Sequence, residues 1–172
     1  MKVLKETSRL LVRTFAAIDD AFVLELLNTP GWLQFVGDRQ VHTLADAQRY
    51  IMHNLLGSHE GKGYGAWVVE LKTTGQAIGI CSLFKRKYLE QPDLGFAFLP
   101  EAEGKGYAYE AAIGTLQYGR NELAAPNIFA ITQPDNQRSV RLLERIGFMR
   151  LGTVLPPGEQ EELALFNKEF AE

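Results

Sequence analysis

At 172 residues, 46% hydrophobic and 23% charged, the chain is long enough for one domain with a substantial core and too short for two ordinary ones, so a single domain over 1–172 is expected. A net charge of −3, with Lys85, Arg86 and Lys87 as the only cluster of three basic residues, argues against a nucleic-acid footprint and reads that trio as a solvated loop. The single cysteine, Cys81, excludes an internal disulfide and fits a reducing compartment. The charged first residues and the lack of any long apolar run point away from a signal segment or a membrane span, so a cytoplasmic protein is expected.

In chain order, Leu10, Leu11 and Val12 read as a short strand, and Ala16 to Leu27 as an amphipathic helix with Asp19 and Asp20 in its first turn. Asn28, Pro30 and Gly31 end it, and Trp32 to Arg39 is a mixed aromatic and polar loop or helical turn. Thr43 or Leu44 opens a second helix through Ala47, Tyr50, Ile51 and Leu55, followed by a glycine-rich loop from Gly57 to Gly65. Ala66 to Leu71 and Ala77 to Phe84 form a hairpin about Thr74 and Gly75. Past the central segment come a buried strand from Asn127 to Thr132, a helix from about Asn136 to Arg145, and closing strands around Phe148 to Val154 and Glu162 to Asn167.

The central segment, Gln91 to Ala112, organises the rest. Leu94, Phe96 and Phe98 share a period of two, and Leu99 adds an apolar residue out of phase before Pro100 stops the ladder, which predicts a bulge or splay near Phe98 and Leu99. Gly104, Lys105 and Gly106 then open a helix from Tyr107. Glycines there let backbone N–H groups approach an anion at a helix N-terminus, where the dipole also favours negative charge.

Spacing excludes two owners of such a turn. A nucleotide P-loop needs a hydroxyl residue after its lysine, and Gly106 follows Lys105; a dinucleotide fingerprint needs a third small residue where Tyr109 stands. The run Glu103, Gly104, Lys105, Gly106, Tyr107, Ala108 resembles the coenzyme A pyrophosphate loop, Q/R-x-x-G-x-G/A, of the GNAT N-acetyltransferase superfamily, with Glu103 where the family carries a basic or amide residue. Asn136, Ser139, Leu142, Glu144, Gly147 and Phe148 resemble the same superfamily's later segment, a helix ended by a glycine cap that re-enters a strand. The likeness runs from Ser8 to about Lys168 and leans toward the branch that includes the ribosomal-protein N-terminal acetyltransferases.

The resemblance implies an α/β (α+β) fold: a mixed, mostly antiparallel central sheet, splayed at a β-bulge, with helices on both faces. It implies acetyl-CoA as cosubstrate, no metal, and a peptide or small-molecule amine as acceptor. The pantetheine arm would lie against the backbone at Phe98 and Leu99 and against Asn136, and the pyrophosphate on Gly104, Lys105, Gly106, Tyr107, Ala108 and Tyr109. Many members carry a tyrosine for the departing thiolate where this chain has Leu143, so Ser139 becomes the candidate acid, against the plainer reading in which its hydroxyl bonds back to a helix carbonyl. Asp93, entering the central strand, is a candidate base working through water or else a turn residue.

Trp32 and Phe35 line the acceptor cleft or staple the first helix to the core; Arg39, with Glu25 and Asp46 flanking, suits an acceptor bearing both an amine and a carboxylate. A free α-amine, whose ordinary pKa is about 7.7 to 8.0, needs less help from a base than a lysine amine does. A polyamine or antibiotic acceptor and a non-catalytic acyl-CoA-binding module are the alternatives. His42, His53 and His59 have no metal-ligand spacing, and Cys81 in an apolar strand reads as a core thiol.

Overall fold

The computed structural model describes residues 1–56 and 63–170, so His59 and most of the loop after Gly57 lie outside the described residues. Among the described residues eight strands form one sheet: β1 (Val3–Glu6), β2 (Leu10–Arg13), β3 (Gly65–Leu71), β4 (Ala77–Phe84), β5 (Asp93–Phe98), β6 (Asn127–Thr132), β7 (Met149–Val154) and β8 (Leu163–Glu169). Their order is β1-β2-β3-β4-β5-β6-β8-β7, and β5 with β6 is the parallel pair among antiparallel neighbours. Five α-helices accompany them among the described residues: α1 (Asp20–Leu27), α2 (Pro30–Phe35), α3 (Leu44–Tyr50), α4 (Tyr107–Asn121) and α5 (Gln137–Arg145). Among the described residues the expected strands and helices are present, with two differences: a 3-10 turn, Ala17–Asp19, precedes α1, and the second expected helix is α-helical from Leu44 to Tyr50 and continues as a π-helix over Ile51–Leu56. Sequence reading missed β1, because its alternation is hidden by charge; it is an edge strand, and charged side chains on an edge discourage further pairing.

Both faces of the sheet are covered, which is why β3 reads as an unbroken apolar run: Ala66 to Val69 are all buried. Ala66 and Val68 face Phe15, Val23, Leu26, Trp32, Ala47 and Ile51 under the first three helices. Trp67, Leu83 and Leu94 face the other way, onto Ala112 and Leu116 of α4, Leu143 of α5 and Ile146 at its C-terminal cap. This arrangement corrects the reading of Leu99. Its side chain is 1% exposed in the layer under α1 to α3, with Ala97 beside it, while Phe96 and Phe98 face α4. The alternation therefore continues through Leu99, and β5 pairs with β4 from Phe84↔Asp93 to Gly79↔Phe98 with no register shift. The sheet does splay, without a bulge in that ladder: β5 and β6 meet only at Asp93↔Phe129 and then part, each keeping its full ladder with its outer neighbour.

Local chemistry fixes the two helices that flank the gap. Gly106 caps α4 at φ 79°, a left-handed conformation that suits glycine, and a Cβ on Gly119 at the far end would sit 2.7 Å from Ile128, so α4 lies close on the sheet. The Asn136 side chain accepts the Ser139 N–H at 3.2 Å to start α5. Gly147, at φ 91°, closes it, with the Gly147 and Phe148 amides returning to the Glu144 and Leu143 carbonyls in a Schellman motif.

Candidate active site

The gap between β5 and β6 opens into a continuous cleft with two halves. Phe96, Ala97, Asn136, Ser139 and the aromatic wall of α2, Trp32 and Phe35, border both. One half runs under the start of α4, past Gly104, Gly106, Tyr107, Ala108 and Tyr109, with Arg138 and Arg145 of α5 across from them. The other, about 740 Å³, is bordered by Arg39, Arg86 and Tyr88 on one side and by Glu159 and Glu161 of the β7–β8 loop on the other.

Register decides which backbone groups the gap exposes. In an antiparallel ladder alternate residues direct both N–H and C=O to the same neighbour. Leu99 donates its N–H to the Ile78 carbonyl at 2.9 Å, and Phe129 donates to the Pro92 carbonyl at 2.9 Å, so the amides of Phe96 and Phe98 are the ones facing the gap. Leu99, expected as a donor, is thus corrected: its amide is taken by β4 and its side chain by the core. Phe96, absent from the expected set, faces the gap in its stead, and only the register could have revealed that.

At the start of α4 the first helical hydrogen bond is Glu110 N–H to the Gly106 carbonyl, which leaves the amides of Tyr107, Ala108 and Tyr109 without intrahelical acceptors. Gly104 and Gly106 both take positive φ, at 72° and 79°, and no atom lies within 4 Å of where a Cβ on Gly104 would stand, so the turn is open on the side an anion would approach. Lys105 borders neither half; its contribution is the carbonyl, which accepts from Arg9 at 3.0 Å. Glu103 forms an ion pair with Arg138, so the residue that departs from the family pattern is neutralised by a cation from α5. The Arg145 guanidinium lies 4.8 Å from the centre of the Tyr109 ring.

Ser139 and Asn136 sit at the junction of the halves. Among the described residues no hydrogen bond is made by the Ser139 hydroxyl, so back-bonding to a helix carbonyl does not account for it. Leu143, where many relatives carry tyrosine, is buried in the core. Trp32 Nε1 is a buried donor with no partner among the described residues.

Asp93 lies elsewhere than a free base would. It is 2% exposed at the root of the splay, borders neither half, and accepts from Arg86 Nε at 2.7 Å. Burial pushes its carboxyl up, and the charge and hydrogen bond of Arg86 oppose that. The Lys85–Lys87 trio is therefore not simply a solvated loop, since Arg86 turns into the cleft. The expected acidic flank is also corrected: Asp46 is used in the capping box of α3 with Thr43, and Glu25 is exposed outside the cleft. Cys81 is fully buried, its thiol pushed up to about 12 by burial, in keeping with a core role. Among the described residues no group of three or more His, Cys, Asp or Glu is placed to hold a metal, and no helix is long and apolar enough to cross a membrane.

A strand edge opened toward a parallel neighbour, followed by a glycine turn and the bare N-terminus of a long helix, defines an acyl-coenzyme A transferase fold. Residues 9–149 match the acetyltransferase (GNAT) domain, and the chain belongs to that family as an acetyl-CoA-dependent N-acetyltransferase. An uncharacterized N-acetyltransferase of Bacillus subtilis, YnaD, is 31% identical over 146 residues, 85% of this chain and 82% of that one. The uncharacterized protein YkkB of the same organism is 38% identical over 90 residues, a match to 50% of this chain and 52% of that protein. A GNAT-family acetyltransferase from Bacillus anthracis superposes with a TM-score of 0.80 at 27% identity, over 96% of this chain and 97% of that one. RimL, a ribosomal L7/L12 α-N-protein acetyltransferase in complex with coenzyme A, shares the fold at a TM-score of 0.80 and 15% identity, over 98% of each chain.

Proposed function

We propose that this enzyme acetylates the free α-amine of a peptide or amino-acid-like acceptor, by direct attack of the amine on acetyl-CoA bound across the splay. The observation that carries the reading is the continuity of the cleft, in which Phe96, Asn136 and Ser139 border both an anion-suited half and a polar half of mixed charge. The residues fit coenzyme A. The amides of Tyr107 to Tyr109, aided by Arg138 and Arg145, suit the pyrophosphate and phosphate, and the unpaired amides of Phe96 and Phe98 suit the amide arm and the thioester carbonyl.

In the transfer, a carbon–nitrogen bond forms as the carbon–sulfur bond breaks; the amine loses a proton to solvent and the thiolate gains one. Ser139 is assigned to the departing sulfur. Asp93 contributes by holding Arg86 rather than by touching the amine, which fits an α-amine already partly neutral near pH 8. Arg39 and Arg86 on one side of the acceptor half suit a carboxylate and Glu159 and Glu161 across from them suit an amine, a pairing that favours an acceptor bearing both charges over one bearing only cations.

Two measurements test this. Gly106→Val puts a branched residue at φ 79°, its Cβ 3.4 Å from Arg9, and by straining the turn that presents the Tyr107 to Tyr109 amides is expected to abolish coenzyme A binding by calorimetry. Equal affinities would reject the site. Thiol release across short peptides, spermidine and kanamycin is expected to give the highest kcat/KM with the peptides; a preference for the polycations would reject the acceptor class while leaving the cofactor site standing.

A further inference from the structure

We infer that Arg86, oriented by the buried carboxylate of Asp93, is the specificity anchor of the acceptor half and grips an acidic side chain at the second position of a peptide acceptor. This rests on the acetyl-transfer reading above and goes beyond it in naming the acceptor's chemistry.

The Asp93 side chain is 2% exposed, yet the Arg86 side chain it holds is 38% exposed and borders the acceptor half. The bond to Asp93 uses Nε, at 2.7 Å, and the guanidinium carbon stands 5.7 Å from the centre of the Phe84 ring, with Tyr88 alongside. With Nε committed to a buried anion, Tyr88 hydrogen-bonded to the same side chain and the Phe84 ring beside it, the guanidinium is held in place at the border of the acceptor half, where its fork suits a carboxylate. Burying an aspartate beside an arginine is a poor way to gain stability, since an apolar pair of the same volume does as well. Aiming a cation that would otherwise wander through solvent is a better account of the pair.

Distance selects which carboxylate it meets. The reacting amine belongs near Phe96 and Ser139, where the two halves join. Asp93 lies down β5 from Phe96, on the order of 10 Å away at about 3.3 Å per residue. The α-carboxylate of a free amino acid is too close to its own amine to bridge that gap. An extended peptide advances about 3.3–3.6 Å per residue, so an acidic side chain on the residue after the amine reaches toward the guanidinium.

The test uses peptide pairs identical except for Glu or Gln at the second position, with kcat and KM measured by thiol release for the wild type, Arg86→Gln and Arg86→Lys. The wild type is expected to favour the Glu member by on the order of tenfold in kcat/KM, mostly through KM. That ratio should fall toward one in R86Q and recover in part in R86K. Asp93→Asn should also shrink it by freeing the guanidinium, an effect that a merely structural ion pair would not confine to the acidic peptide. A wild-type ratio near one overturns the assignment, as does a ratio that survives in R86Q. The wild-type ratio needs no variant and so decides the matter even where R86Q fails to fold. Acetylation of both members without discrimination rejects Arg86 alone; no acetylation of any amine by protein that binds coenzyme A rejects the acetyl-transfer reading and this inference with it.

Discussion

Glu110, in the first turn of α4, accepts the backbone N–H of Arg9 on one oxygen and its Nε–H on the other, each at 2.7 Å. Thr7 donates to the same carboxylate at 2.7 Å, and Arg9 reaches on to the Lys105 carbonyl at 3.0 Å with its guanidinium 4.6 Å from the Tyr107 ring centre. The segment leading into β2 is thereby tied to the glycine turn and to the helix that follows it. The consequence is a glycine turn held in shape from behind, by residues that do not themselves border the cleft.

Glu110→Gln should loosen that turn. It keeps the shape of the side chain but replaces one charge-assisted acceptor with an amide, and coenzyme A affinity is expected to fall by roughly three- to tenfold, a modest loss suited to a positioning residue. Burial alone would raise the Glu110 carboxyl, but the bonds from Thr7 and Arg9 outweigh it and hold it below its ordinary 4.5. A lowered folded value means the carboxylate's stabilising effect is complete above 4.5 and disappears as the pH falls through that lowered value. Urea unfolding over a pH series should therefore show the gap between wild type and E110Q closing only on the acid side. A gap that is constant with pH would mean that the charge plays no part.

A second pair governs stability alone. Arg13 is buried and meets Asp19 bidentately at 2.9 and 2.8 Å and Glu70 at 2.6 Å, linking β2, β3 and the turn before α1. Arg13→Met leaves the buried Asp19 carboxylate without its cation, and the expected loss is roughly 3–5 kcal/mol in denaturant unfolding. The double variant Arg13→Met, Asp19→Asn should lose less than the single one, because the more deeply buried of the two carboxylates no longer carries an uncompensated charge. If R13M costs under about 1 kcal/mol, the network is not what fixes this corner.

What could be read from the sequence is what short segments determine by themselves. Asn136 capping α5, Gly147 ending it and the paired glycines before Tyr107 depend on a few neighbouring residues, and each is where its local chemistry puts it. The overall sheet was legible for the same reason, since Ala66 to Leu71 and Ala77 to Phe84 flank an obvious turn. Properties set by register and tertiary contact were not. Whether Leu99 or Phe96 offers its amide to the gap turns on which neighbour takes each residue, and Leu99 looked like a bulge only because burial on the second face was hidden. Arg86 sat within a basic run that reads as solvent-facing until Asp93 is found beside it, and Glu159 and Glu161 reach the cleft from a loop with no motif at all.

The remaining prediction concerns the leaving group. A thiolate departing from an acyl carbon needs a proton or a donor at the moment its charge develops, and the tyrosine that many relatives place for this has become Leu143, sealed in the core. Ser139 comes one turn earlier on α5, its amide fixed by Asn136 at 3.2 Å and its hydroxyl without a protein partner among the described residues. A donor that waits unpaired beside both halves of the cleft matters most when negative charge appears there, so its removal should tell on the transition state more than on binding. Ser139→Ala is therefore expected to lower kcat by roughly ten- to a hundredfold while calorimetric affinity for coenzyme A stays within about twofold. Asn136→Ala should behave differently, weakening the start of α5 and cofactor binding together, which separates a cap from an acid. If S139A loses affinity and keeps its kcat, the hydroxyl belongs to cofactor binding, and the proton reaches the sulfur from water.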